Sequence, residues 1–192
     1  GGGVSKANAL KFISKVAGSR LPIACTWTGA DKCGFDYPYF AGRPNTYGMR
    51  WSNIIQQQAD LLIAVGTSLG FQQTGFNIEE FLPAGKLVHV DIDKNELEKS
   101  NPKDRITILE ESGKFLGTFG DIIQKSPPVS IEWIEFIQTV KKLIPVLETV
   151  QVTEHPTISP HSVIEKVSQI AGENDAVVAA SSGGTFTATM QV

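Results

Sequence analysis

The sequence predicts an α/β domain, doubly wound about a mainly parallel sheet, and two observations carry that prediction. Short apolar runs of strand length alternate with segments whose apolar residues recur at helical spacing. The runs Leu21–Thr26, Asp60–Gly66 and Lys86–Asp93 each close on threonine, glycine or aspartate, the residues of tight turns and helix caps.

From the first residue, Gly1-Gly2-Gly3 reads as the turn after a strand, so a first strand is expected upstream of Gly1. Ser5 then caps a helix whose apolar residues Leu10, Ile13, Val16 and Ala17 share one face, with Gly18 as its stop. Leu21–Thr26 reads as a strand. A long loop follows, rich in glycine and in the aromatics Phe35, Tyr37, Tyr39, Phe40 and Tyr47, and loops of this length are usually functional or interfacial. Trp51–Ala59 reads as a short helix. It leads into Asp60–Gly66, whose continuous apolar run fits a strand buried on both faces.

Lys86–Asp93 and Arg105–Leu109 repeat the strand pattern, and a helix from about Gly113 to Gln124 follows with Ser112 as its expected cap. Pro127-Pro128 breaks the chain before a helix over Ile131–Ile144, capped by Ser130 and stopped by Pro145. Residues 126–157 therefore read as a linker containing one helix. A new unit opens at Ser159-Pro160, where Val163, Ile164, Val167, Ile170 and Ala171 form one stripe. Residues 175–180 read as a buried strand that delivers Ser181-Ser182-Gly183-Gly184 to a further helix.

Composition narrows the function classes. The 192 residues are 41% hydrophobic and 19% charged with a formal charge of −3, as in ordinary globular proteins. No basic stripe marks a nucleic-acid partner, and no apolar run approaches the roughly 20 residues of a membrane span. Cys25 and Cys33 match neither a redox CxxC nor a zinc pair, so they read as free thiols in a reducing cytoplasm. His89 lies inside a strand and reads as a packed core histidine. No histidine has a partner at metal-ligand or nucleophile–base spacing, so no catalytic and no metal-ligating residue is assigned.

Ligands of an open parallel sheet bind outside the carboxyl ends of its strands. Here those ends carry Gly1–Gly3, Thr26–Gly29, Gly66–Ser68 and Asp91–Asp93. Glycine lets a backbone approach a phosphate, and an aspartate at a strand end accepts hydrogen bonds from ribose hydroxyls. Both suit a dinucleotide, and both also suit plain turn geometry.

In order and spacing, Gly1-Gly-Gly-Val, Leu21-Pro-Ile-Ala-Cys-Thr, Ala41-Gly, Tyr47-Gly-Met, Ser52-Asn53, Asp60-Leu-Leu-Ile-Ala-Val-Gly66 and His89-Val-Asp-Ile-Asp-Lys94 resemble the middle domain of the thiamine-diphosphate enzymes of the acetolactate synthase group. Thr74-Gly75-Phe76-Asn77 and Phe81-Leu-Pro-Ala84 look closest to members from surface-polysaccharide gene clusters. The resemblance implies a Rossmann-like, NAD/FAD-binding-type middle domain over 1–125, the linker, and the start of the thiamine-diphosphate-binding domain over 158–192. It implies a cytoplasmic, homodimeric or homotetrameric enzyme that decarboxylates a 2-keto acid such as pyruvate on thiamine diphosphate and magnesium and passes the carbanion on.

The family's catalytic glutamate and metal motif are expected upstream of Gly1 and downstream of Val192, so this chain alone is expected to be without catalysis. By the same resemblance, Ser182, Gly183 and Gly184 approach the thiamine cofactor. Flavin-containing members touch FAD at the positions of Gly2, Gly3, Thr26, Gly48, Met49, Gly66, Asp91 and Ile92. Gln72 and Gln73 stand where those members often carry an acidic residue and an arginine. FAD, ADP or a purely structural cleft therefore remain open here, as does the alternative of a stand-alone nucleotide-binding or scaffold domain.

Overall fold

The structure is a computed structural model, and it describes residues 1–99, 105–147, 158–172, 174–178 and 183–192. Among these, β1 (Leu61–Val65), β2 (Lys86–Asp91) and β3 (Arg105–Leu109) form one parallel sheet in the order β1-β2-β3. The register pairs Val65 with Val90 and Asp91 with Leu109, so the carboxyl ends lie in line. Gly66 N donates to Val90 O at 2.9 Å and Glu110 N to Asp91 O at 3.1 Å, carrying each pairing one residue beyond its strand.

Both faces of the sheet are covered, which is the doubly wound arrangement. Side-chain alternation sends Val65 toward α1 (Lys6–Val16) and α5 (Ser112–Lys125), where Val4, Ala9, Phe12, Val16 and Leu116 are buried. Ala64, Leu62 and Leu87 turn the other way, onto Leu69, Phe81 and Leu82 of the segment between β1 and β2. A third cluster joins Cys25, Cys33, Tyr37, Phe40, Met49, Trp51 and Ile55 to Ile134, Ile137 and Val140. It packs the long loop between α2 (Arg50–Gln58) and α6 (Ile131–Leu143). α6, expected inside a linker, thus shares a core with residues near the start of the chain.

Several local readings are corrected. Ser5 caps α1, accepting from Asn8 N at 3.2 Å, but Leu10 is 52% exposed while Phe12 is buried. The helix is phased by aromatic packing, Phe12 stacking on Phe119 of α5 at 5.9 Å. Leu21–Thr26 forms a single parallel bridge, Ile23 with Phe40, in place of a full strand. Pro22 has no N–H to donate, and the segment is tied to residues 39–42 by Ile23 N to Tyr39 O, Ala41 N to Ile23 O and Cys25 N to Gly42 O. β1 is packed on both faces through Val65 and Ala64, but it lies at an edge of the sheet and its first residue, Leu61, is exposed.

The cap of α5 is Glu111, not Ser112: its carboxylate accepts from Gly113 N and Lys114 N, both at 2.8 Å. Ser112 Oγ instead donates to Gly3 O at 2.9 Å and ties α5 to the glycine turn. Of the expected strand 175–180, residues 179–180 lie outside the described residues, and 175–178 are exposed and have no strand pairing among the described residues. The aromatic loop is partly interior: Phe40 and Tyr37 are buried, as is Trp51 of α2, Tyr39 is half-buried, and Phe35 and Tyr47 are exposed.

Candidate functional site

Three strand ends and the glycine turn enclose a cleft of about 390 Å³. Gly2 and Gly3 form one wall, Gly66–Ser68 the floor after β1, and Asp91–Asp93 the end of β2. Thr28, Glu96, Glu110, Glu111 and Ser112 complete the lining.

Gly66 is the pivot. Its backbone lies in the left-handed region at φ 57°, and an added Cβ would sit 2.9 Å from Gly3 C. Gly3 N donates to Gly66 O at 2.9 Å, so two glycines clasp the turn to the sheet at van der Waals range. A Cβ on Gly2 would lie 2.9 Å from Thr28 Oγ1, which fixes the Thr26–Thr28 segment as the next wall. Thr26 and Thr28 hydroxyls share a hydrogen bond of 3.2 Å. His89, fully buried in β2, meets Thr67 O through Nε2 at 2.8 Å and holds the floor from beneath.

The electrostatics are one-sided. Asp91, Asp93, Glu96, Glu110 and Glu111 all contribute, and no lysine or arginine is among the lining residues described. Asp91 accepts from Asp93 N at 3.0 Å and Asp93 from Asn95 N at 2.8 Å, so local N–H groups orient both carboxylates. A hydrogen bond from Lys114 holds the Glu110 carboxyl below its ordinary range, with an ion pair of 2.6 Å. The N–H groups of Gly113 and Lys114 do the same for Glu111. The α5 N-terminus, a place where a phosphate is often held, is thereby occupied by a side-chain carboxylate of the protein itself.

The structure brings Gly2, Gly3, Gly66, Asp91 and Ile92 together in this cleft, with Thr26 beside it through Thr28. Gly48 and Met49 do not line it. Met49 is fully buried in the loop–α2–α6 cluster, and Gly48 closes a tight turn by donating to Asn45 O at 2.8 Å. Gly183 and Gly184 open α8 (Gly183–Gln191), where Gly184 packs on Pro160 of α7 (Pro160–Ile170). Ser182 lies outside the described residues. Glu96, Glu110 and Glu111 were missed, although the last two directly follow β3 and the strand-end rule covers them.

The central-domain family of thiamine pyrophosphate enzymes matches residues 1–119. Among curated proteins, the chain is similar to acetolactate synthase isozyme 2 large subunit of Escherichia coli K12, 36% identical over 100 residues. That match covers 52% of this chain and 18% of the relative. It is also similar to the acetolactate synthases of Mycobacterium leprae, 28% identical over 185 residues, and Mycobacterium tuberculosis, 28% over 183 residues. Both of these cover 93% of this chain and 29% of the relative, so the chain spans under a third of the curated proteins it matches. With a parallel, doubly wound sheet and a glycine-walled cleft at its strand ends, the chain belongs to the thiamine pyrophosphate enzyme family, through that family's central domain.

Proposed function

We propose that this chain is the central portion of an acetolactate-synthase-like enzyme that joins 2-keto acids such as pyruvate on thiamine diphosphate and magnesium. The observation that carries the reading is the family match over residues 1–119. No group of three or more candidate ligand side chains suited to a metal ion occurs among the described residues. Magnesium and thiamine diphosphate are assigned to other parts of the longer protein, and α7 and α8 to the start of its third domain. A cytoplasmic homodimer or homotetramer accords with this reading. No described helix is long and apolar enough to cross a membrane.

Within the chain, the cleft serves as a binding ledge for the adenosine part of a nucleotide. The fit is partial. Carboxylates at the ends of β2 and β3 accept hydrogen bonds from hydroxyl and amino groups, and the glycine walls let a planar group approach the backbone. The lining offers a diphosphate no side-chain cation, so the phosphates of FAD or ADP add little to binding here. Calorimetry with adenosine, ADP and FAD tests this. Adenosine is expected to bind at least as tightly as ADP; tenfold tighter binding of ADP, or binding of neither, overturns it. Independently, the full-length protein should form acetolactate from pyruvate with thiamine diphosphate and magnesium, and a complete absence of turnover there would remove the enzyme reading.

A further inference from the structure

The proposed function leaves the arginine of the aromatic loop without a role. We propose that Arg43 and Trp27 form a latch that fastens α8 to the cleft-bearing domain, which makes the aromatic loop an interface within the chain. That the latch thereby sets where the Gly183-Gly184 turn lies rests on reading α7 and α8 as the start of a third domain.

Phe186 and Met190 stand four residues apart and so share one face of α8. That face meets two side chains from a distant part of the chain. The Trp27 indole stands edge-on to the Phe186 ring, with centroids 5.1 Å apart and an interplanar angle of 78°. Arg43 Nη1 donates to Met190 O at 3.1 Å. A carbonyl carries two lone pairs, so Met190 O can take this bond alongside one from a helix N–H. Beside them, the Gln191 amide donates to Tyr47 O through Nε2 at 2.6 Å and meets His161 Nε2 through Oε1 at 3.1 Å, which joins α7 to the same contact.

Arg43 is costly where it stands, and that cost points to its task. Its guanidinium is half-buried, its Nε is buried with no hydrogen-bond partner, and no carboxylate pairs with it among the described residues. Burying a cation without an opposite charge is unfavourable. Two groups offset this here. The guanidinium lies over the rings of Phe35 and Phe40, 5.6 and 5.7 Å from their centroids, and it holds the carbonyl of α8. When α8 departs, Arg43 keeps the rings and loses that acceptor.

The loop presents Arg43 in a fixed place. Met49 N donates to Arg43 O at 3.2 Å, and Asn45, two residues on, exchanges two hydrogen bonds of 2.9 Å with the Asn53 side chain of α2. Trp27 directly precedes Thr28, so one short turn faces α8 with the first residue and the cleft with the second.

Amide hydrogen exchange tests the latch by comparing peptides from α8 with peptides from β2. Arg43→Met keeps the reach of the side chain and removes its charge and its donors. Exchange in α8 is expected to rise about tenfold in this variant, with β2 unchanged. Phe186→Ala, made on the helix side and away from the buried loop, should give a similar rise, and it decides the matter if Arg43→Met does not fold. Arg43→Lys, which restores the charge and a donor, should recover part of the protection. Unchanged α8 exchange in the variants, an equal rise in β2, no recovery in Arg43→Lys, or an α8 already unprotected in the unaltered chain overturns the proposal. Exchange is read without thiamine diphosphate. Failure of the latch therefore leaves the enzyme reading standing, and absence of turnover in the full-length protein leaves the latch standing.

Discussion

Replacing Gly66 by alanine is expected to destabilise the fold by about 2–4 kcal/mol, from two sources. The residue sits at φ 57°, where any side chain with a Cβ is strained by about 1–2 kcal/mol. The new methyl would lie 2.9 Å from Gly3 C, 3.1 Å from Gly3 Cα and 3.2 Å from Val4 N. Those are backbone atoms, so relief requires moving the whole turn. The movement breaks the 2.9 Å bond from Gly3 N to Gly66 O and loosens the one from Gly66 N to Val90 O, each contributing about 1 kcal/mol. Urea unfolding reads the change as a lower midpoint at unchanged slope, by roughly 1–2 M for a slope near 2 kcal/mol/M. Gly70→Ala is the control, since Gly70 has φ −68° and no atom within 4 Å of an added Cβ. A loss under about 1 kcal/mol for Gly66→Ala, or an equal loss for both variants, would refute the clasp between the turn and the sheet.

Other substitutions test other parts of the argument. Gly117→Ala, in the interior of α5 with open space around the added methyl, should stabilise by about 0.5–1 kcal/mol in the same urea assay. Ile137→Ala should cost about 2–5 kcal/mol in thermal or urea unfolding, because this side chain of α6 is buried against the loop aromatics. A smaller cost would detach α6 from the core. Glu111→Gln should flatten an acid limb of stability. The Glu111 carboxyl is held below its ordinary value in the fold. Its contribution is therefore full above the unfolded value of about 4.3 and fades as pH falls through the folded value. The stability gap between the two proteins should close on acidification, and a gap constant with pH would refute the cap.

Much of this was legible in the sequence, and the failures share a cause. Strand runs bounded by glycine and aspartate located β1, β2 and β3, because backbone pairing and turn chemistry are written locally. Ser5 and Ser130 announced α1 and α6, each accepting from a backbone N–H of the first turn. What was not legible depends on partners distant in the chain. The phase of α1 is set by Phe119, more than a hundred residues away, and the aromatic loop by Ile137 and Val140. Residues 175–178 have strand composition, yet a strand is defined by its neighbour. Glu111 displaced Ser112 as cap because a carboxylate reaches two N–H groups at once, which frees the serine hydroxyl to bond Gly3 O.

Thr28 is both a wall of the cleft and the neighbour that limits Gly2. A phosphate set beside Asp91 or Glu111 would meet like-charge repulsion, whereas a hydroxyl can donate to either carboxylate. On the proposed reading, the acidic lining favours neutral, hydroxyl-bearing groups over phosphates, so the comparison of adenosine with ADP reads the ledge directly.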